Sequence, residues 1–356
     1  MAGQPLDLSR AAVTALAAVA ALAGCTAPAR TAAPTPVPSL RPSTVDSSAP
    51  VGPTGSPAGS TTAAGKLLFG IGDAADRAAD TALARQAPVR MLTSWYNSPK
   101  DFGFLDGWRR TLVPRWYAKG YALHVVTWSG DAEGPVSTVY GPACGRAYPL
   151  SPGYLNDLRH LARIFAGPAT GPPLYVTLFT EFSTYPCVDN EWSKATAYYR
   201  ALQDQYRAAY RILHETAANV RVSLGWGGWL GSYDLPGTGG GRSLLGHFAD
   251  LLRGSDFQSF QAMADTAGAN PAQIRAMVAL LRPYGPVMCA HFKPDHGSQA
   301  VFDADVRALF TDASVAELTR AGLFAFSFMT TRNVDADPAT FAFLKDAVTR
   351  YGTGPG

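Results

Sequence analysis

Leu174-Tyr175-Val176-Thr177-Leu178-Phe179-Thr180-Glu181-Phe182 is an apolar run that stops abruptly at a carboxylate. Its brevity and its β-branched and aromatic content read as a buried strand, and a helical pattern follows over residues 192–215. Strand, polar turn and helix together make the repeating unit of a parallel α/β sheet. Working outward, strand-like runs recur at 67–71, 89–94, 122–127, 174–179, 220–224, 257–262, 287–290 and 323–328. Helical patterns lie around 74–84, 105–119, 152–165, 192–215, 244–252, 271–281, 303–320 and 338–350. Eight strands, each with its helix, predict a (β/α)8 TIM barrel of the α/β class, built as a single domain over residues 66–356. Pro152, Pro271 and Pro338 stand where helices are expected to begin, with Ser151, Asn270 and Asp337 before them as N-caps. An open doubly wound sheet would carry a Gly-rich phosphate loop after its first strand. Phe69-Gly70-Ile71-Gly72-Asp73 has no third glycine, and Gly237-Thr238-Gly239-Gly240-Gly241-Arg242-Ser243 lacks the Lys-Ser/Thr ending of a nucleotide loop.

Ahead of the barrel, residues 11–24 form an Ala/Leu/Val run with the length of a signal-peptide apolar region rather than a membrane span. The tetrad Leu22-Ala23-Gly24-Cys25 resembles the bacterial lipobox, which implies lipidation of Cys25 and a mature chain that starts there. An ordinary secretory peptide cut among the alanines is the other reading; both expect export to an extracytoplasmic, membrane-anchored or secreted location. Residues 26–65 are Ala, Pro, Ser, Thr and Gly with almost no large apolar side chain, so they are expected to form a disordered tether.

A net charge of +3, with no concentrated Lys/Arg block, argues against a nucleic-acid partner. Besides Cys25 the chain has Cys144, Cys187 and Cys289, without a CxxC pair or zinc-spaced histidines, so no metal and no cofactor is expected. Cys144 and Cys187 fall in loops and could pair in an oxidising compartment, whereas Cys289 sits in an apolar strand and reads as a buried thiol. A monomer is the expected state.

Barrel sites are built at the carboxyl ends of the strands. Residues just beyond the runs are Asp73; Trp95, Tyr96 and Asn97; Trp128, Ser129 and Asp131; Glu181; Trp226 and Trp229; Asp265; His291, Lys293, Asp295 and His296; and Thr330, Arg332 and Asn333. Four of the seven tryptophans are among them. Indole faces stack on the C–H faces of sugar rings, while carboxylates and amides bond hydroxyls, so a saccharide ligand is expected. Glycoside hydrolysis needs an acid for the departing oxygen and a second carboxylate to attack or to activate water. Glu181 suits the first role. Asp73, Trp95, Tyr96, Asn97, Trp128, Trp226, Trp229 and Arg332 are the expected sugar contacts.

Thr180-Glu181-Phe182, Trp192, the Tyr198-Tyr199-Arg200…Tyr206-Arg207…Tyr210-Arg211 helix and Asn219-Val220-Arg221-Val222 together resemble glycoside hydrolase family 26, the β-mannanase group of the retaining-barrel clan. The likeness is clearest over residues 174–229. It implies that Glu181 is the acid/base, although the preceding residue is usually His and here is Thr180. The family's nucleophile is a glutamate after strand seven, where this chain has His291 in Pro286-Val287-Met288-Cys289-Ala290-His291-Phe292. A neutral imidazole does not supply the carboxylate of a glycosyl intermediate. Three arrangements stay open: Asp295, Asp131 or Asp265 is the second carboxylate, in a site that could then be inverting; His291 acts with Asp295 as a base or polariser in other sugar chemistry; or the barrel binds glycan without cleaving it. The absence of a G-x-S-x-G elbow weakens an esterase reading, and the absence of an Asp-Asp pair weakens a zinc deacetylase.

Overall fold

The computed structural model describes residues 65–72, 74–187, 196–231 and 244–353. Its strands, in chain order, are β1 (Leu68–Ile71), β2 (Met91–Tyr96), β3 (Ala122–Thr127), β4 (Glu133–Thr138), β5 (Gly141–Arg146), β6 (Leu174–Leu178), β7 (Val220–Gly227), β8 (Gln258–Ala262), β9 (Val287–Phe292) and β10 (Leu323–Phe328). All except β4 and β5 pair in parallel and close into a barrel, with β10 returning to β1. Each strand expected from the sequence is present, and the fold is a (β/α)8 barrel. β4 and β5 form an antiparallel hairpin between β3 and β6, in a stretch read from sequence as loop. Its alternately exposed and half-buried residues carry no apolar run to announce it.

Helices cover the outside of the barrel. Ser151 and Asp337 cap theirs as expected, accepting from the backbone N–H of Tyr154 at 3.1 Å and of Thr340 at 2.7 Å. Asn270 does not: the helix Ala269–Leu281 starts before it, from Gly268. The Asn270 side chain is buried and bonds Ala264 and Asp305 instead. The single helices expected over 105–119 and 303–320 are each two, Phe102–Thr111 with Val113–Ala118 and Gln299–Leu309 with Asp312–Arg320. Pro114 accounts for the first break, because its ring denies the preceding turn a donor.

Strand alternation sorts side chains between two cores. Outward residues such as Leu92, Tyr96, Val125, Val176 and Trp226 pack against the helices in the main apolar cluster. Inside the barrel, Met91, Ala122, Phe257, Met288, Ala290 and Ala325 fill one apolar cluster. A polar layer also lies within it. His124 Nε2 lies 2.9 Å from Thr177 Oγ1, which donates to Ser259 Oγ at 3.2 Å, which in turn donates to the Leu224 carbonyl at 3.2 Å. Thr93 Oγ1 reaches both His124 Nδ1 (3.3 Å) and Ser327 Oγ (3.0 Å). With Thr177 committed as donor to Ser259, His124 must present Nε2–H and accept at Nδ1. Burial lowers the His124 pKa to about 3, which keeps the ring neutral.

Candidate active site

The chain leaves β6 through a tight turn that aims Glu181 into the mouth. Phe179 (φ 54°) and Glu181 (φ 63°) are both left-handed non-glycine residues, a conformation that costs roughly 1–3 kcal/mol each and persists only when its surroundings hold it. Here they do. Phe179 N–H donates to Thr127 Oγ1 at 3.1 Å, Thr180 N–H to the Thr127 carbonyl at 2.9 Å, and Tyr185 O–H to the Thr180 carbonyl at 2.9 Å. Both the N–H and the hydroxyl of Thr184 reach the Glu181 carbonyl at 2.8 Å. Gly225 of β7 makes room for this turn, since a Cβ there would stand 2.7 Å from Thr180 Oγ1 and 2.9 Å from Thr180 Cα.

Both oxygens of the Glu181 carboxylate are oriented: Trp128 Nε1–H donates to Oε2 at 3.1 Å and Gln261 Nε2–H to Oε1 at 2.7 Å. Trp128 is itself backed by the Arg146 guanidinium, 5.3 Å from its ring centre. Arg146 ends β5, and its neighbour Cys144 is disulfide-bonded to Cys187, six positions beyond Glu181 in the chain. The expected Cys144–Cys187 bridge therefore ties the hairpin behind Trp128 to the loop that carries Glu181. Cys289 is a buried free thiol, as read from sequence, and burial raises its pKa.

Glu181 opens into a cavity of about 650 Å³ that also has Trp95, Asn97, Trp128, Asp295 and Arg332 on its walls. Lys293, Asn333 and Met263 contribute further lining. Six of the sequence-derived site residues thus come together. The others lie elsewhere. Tyr96 and Trp226 follow inward-facing neighbours on their strands, so alternation turns them outward into the helix layer, where both are fully buried. Trp226 packs between Phe182 and Phe248. Trp229 lies against the main core and is absent from the cavity lining. Asp131 accepts from Ser129 Oγ and from Tyr148 N–H (3.0 Å), bracing the β3–β4 connection rather than facing the cavity. His291 points inward but is fully buried, stacked under Trp95 with ring centres 4.1 Å apart. Burial, reinforced by His124 and Lys293, pushes its pKa well below the ordinary range. Asp73, Cys25, Trp192 and the Gly237–Ser243 stretch lie outside the described residues.

Asp265, Asp295 and His296 stand exposed at the rim, with ligand-type atoms within 4.8 Å of one another. Desolvation works against it, but the backbone N–H and ring of His296 hold the Asp265 carboxyl below its usual range. His296 is raised by its hydrogen bond to Asp265. Sequence reasoning missed Gln261. The β8 alternation, extended through Ser259, Gln261 and Met263, is the signal that marks it, whereas Asp265 lies beyond the strand.

No family model matches this chain, and no curated protein sequence matches it. Among solved structures it is similar to a fungal β-1,4-galactanase, with 14% identity, 74% of this chain and 89% of that one covered, and a TM-score of 0.44. GH26A from Muricauda sp. aligns at 12% identity over 82% of this chain and 90% of its own, with a TM-score of 0.45. An exo-β-1,4-mannosidase from an Opitutaceae bacterium aligns at 13% identity over 80% of this chain and 55% of its own, with a TM-score of 0.49. The resemblance to family 26 rests on the residues quoted for it.

Proposed function

We propose that this barrel is an extracytoplasmic glycoside hydrolase acting on a polysaccharide or cell-envelope glycan. The observation that carries the reading is the Glu181 carboxylate, fixed at both oxygens, inside a cavity that it shares with the Trp95 and Trp128 indoles and with Asp295. Indole faces seat the pyranose rings, and Glu181 delivers a proton to the glycosidic oxygen as the bond to the leaving sugar breaks. Asp295, which lines the same cavity, takes the proton of the attacking water as it bonds to the anomeric carbon, an inverting assignment. Cys25 in its lipobox-like tetrad and the Cys144–Cys187 bridge support the location, since disulfides persist in oxidising compartments. Incorporation of labelled fatty acid that Cys25→Ser abolishes tests the anchor.

A second reading, a glycan-binding lipoprotein without turnover, is favoured by His291, which occupies the strand-seven nucleophile position of the resembled family and is sealed under Trp95. Glu181→Gln separates the two. Release of reducing ends from a glycan panel should fall by about 10²–10⁴-fold in the variant while binding survives. Retention of the glycan with no release by either form would leave the binding reading.

A further inference from the structure

The barrel carries a second groove at its other end. It has a volume of about 640 Å³ and runs between the helix Val113–Ala118, which leads into the start of β3, and residues 166–172, which lead into the start of β6. Both segments belong to the amino-terminal face of the barrel, opposite the mouth that holds Glu181. Its walls are apolar, from Val113, Pro114, Ile164 and Pro168, and its edges are Arg109 and Arg163. Both arginines are exposed, and neither guanidinium has an ion-pair or hydrogen-bond partner among the described residues. Arg110, Arg115 and Lys119 extend the positive charge along the same pair of helices, opposed over residues 102–119 by Asp106 alone. Arg163, from a segment far away in sequence, joins the cations of residues 109–119 here.

We propose that this groove seats the headgroup and the first part of an acyl chain of an anionic phospholipid. Free cations beside an apolar trough match a negatively charged amphiphile: guanidinium forks bond phosphate oxygens, and the proline-rich walls accept methylenes. A neutral sugar would leave both charges unused, and a free phosphate would leave the apolar walls unused. The place fits as well. The described chain enters at Gly65 and runs into β1, whose first residue lies on this same face of the barrel. This step rests on the membrane-anchored reading. Lipid docking by this face would turn the Glu181 mouth away from the bilayer toward its glycan.

The test uses the chain carrying Cys25→Ser with residues 1–24 removed, so that neither acylation nor the apolar run of residues 11–24 can contribute. Sedimentation with phosphatidylglycerol/phosphatidylcholine vesicles should show binding that pure phosphatidylcholine vesicles lack. Arg109→Ala with Arg163→Ala should weaken that binding by about thirty-fold, at roughly a decade and a half for two lost contacts. Arg253→Ala with Arg275→Ala, also surface arginines, should leave it unchanged. Equal binding to both vesicle types, or loss of equal size in the two double variants, overturns the proposal. Since acylation plays no part, a chain that binds these vesicles but is never acylated in cells refutes only the anchor, and an acylated chain whose Cys25→Ser form ignores them refutes only this groove.

Discussion

Trp128 turns one indole to two tasks: its face lines the cavity, and its Nε1–H holds Glu181 Oε2 at 3.1 Å. The two can be separated. Trp128→Phe keeps an aromatic face but removes the donor, leaving one carboxylate oxygen without its positioning bond. A hydrogen bond to a charged group is worth about 1.5–3 kcal/mol, so kcat should fall about ten- to a hundred-fold with little change in KM. Unchanged kcat in Trp128→Phe, with a loss confined to KM and larger in Trp128→Ala, would assign this indole to sugar stacking alone.

Gln261 poses the opposite balance between stability and function. Its Nε2–H serves Glu181 at 2.7 Å, yet its Oε1 is buried without a partner among the described residues. An unsatisfied buried acceptor costs about 1–3 kcal/mol. Gln261→Met, which keeps the volume and removes the amide, should therefore hold or raise Tm while turnover drops at least about tenfold. Thermal melts and initial rates on the same preparations check it, and a lower Tm with unchanged turnover contradicts it.

Much of the barrel was legible in the sequence because strands such as residues 174–178 and 323–328 are continuous apolar runs bounded by turn residues. A carboxylate ending the first of these, Glu181, stands out for the same reason. Tyr96 and Trp226, expected as sugar contacts, do not reach the cavity, because alternation along a strand rather than nearness to its end decides which side chains face the mouth. β2 extends to Tyr96 and β7 to Gly227, so both residues still belong to the strand and obey its period of two. Gln261 was passed over because an amide within an apolar run has no signature of its own until its neighbours are known. Burial of His291 under Trp95 joins β9 to β2, a pairing of side chains that no local pattern encodes.

The Cys144–Cys187 bridge closes a loop with a sequence separation of 43 residues and links the hairpin behind Trp128 to the Glu181 loop. By the chain-entropy relation a loop of that size contributes about 4 kcal/mol. Cys144→Ala with Cys187→Ala should lower unfolding free energy in denaturant titrations by an amount of that order. Activity of the folded variant should also fall, because Arg146 and Trp128 lose their tie to the loop. Full activity at unchanged stability would show that the bridge braces nothing.

His124 predicts the acid limit of the fold. Its ring is fully buried within the Thr93–Thr177–Ser259 network, with a folded-state pKa of about 3 against an ordinary value of 6.5. Between those values the unfolded chain binds a proton at this site and the folded chain does not, so stability is intact above about pH 6.5 and declines as pH falls toward 3. One such group gives a slope of about 1.4 kcal/mol per pH unit. His291, whose pKa burial lowers in the same direction, adds a parallel contribution. Replacing His124 with Gln removes the titration and keeps a donor and an acceptor in the barrel. Urea unfolding between pH 4 and 6 should then show the slope reduced by about one proton, with some stability lost at pH 7 from imperfect bonding to Thr93 and Thr177. An unchanged slope would mean that His124 takes up its proton in the folded state, which requires water to reach the interior of the barrel.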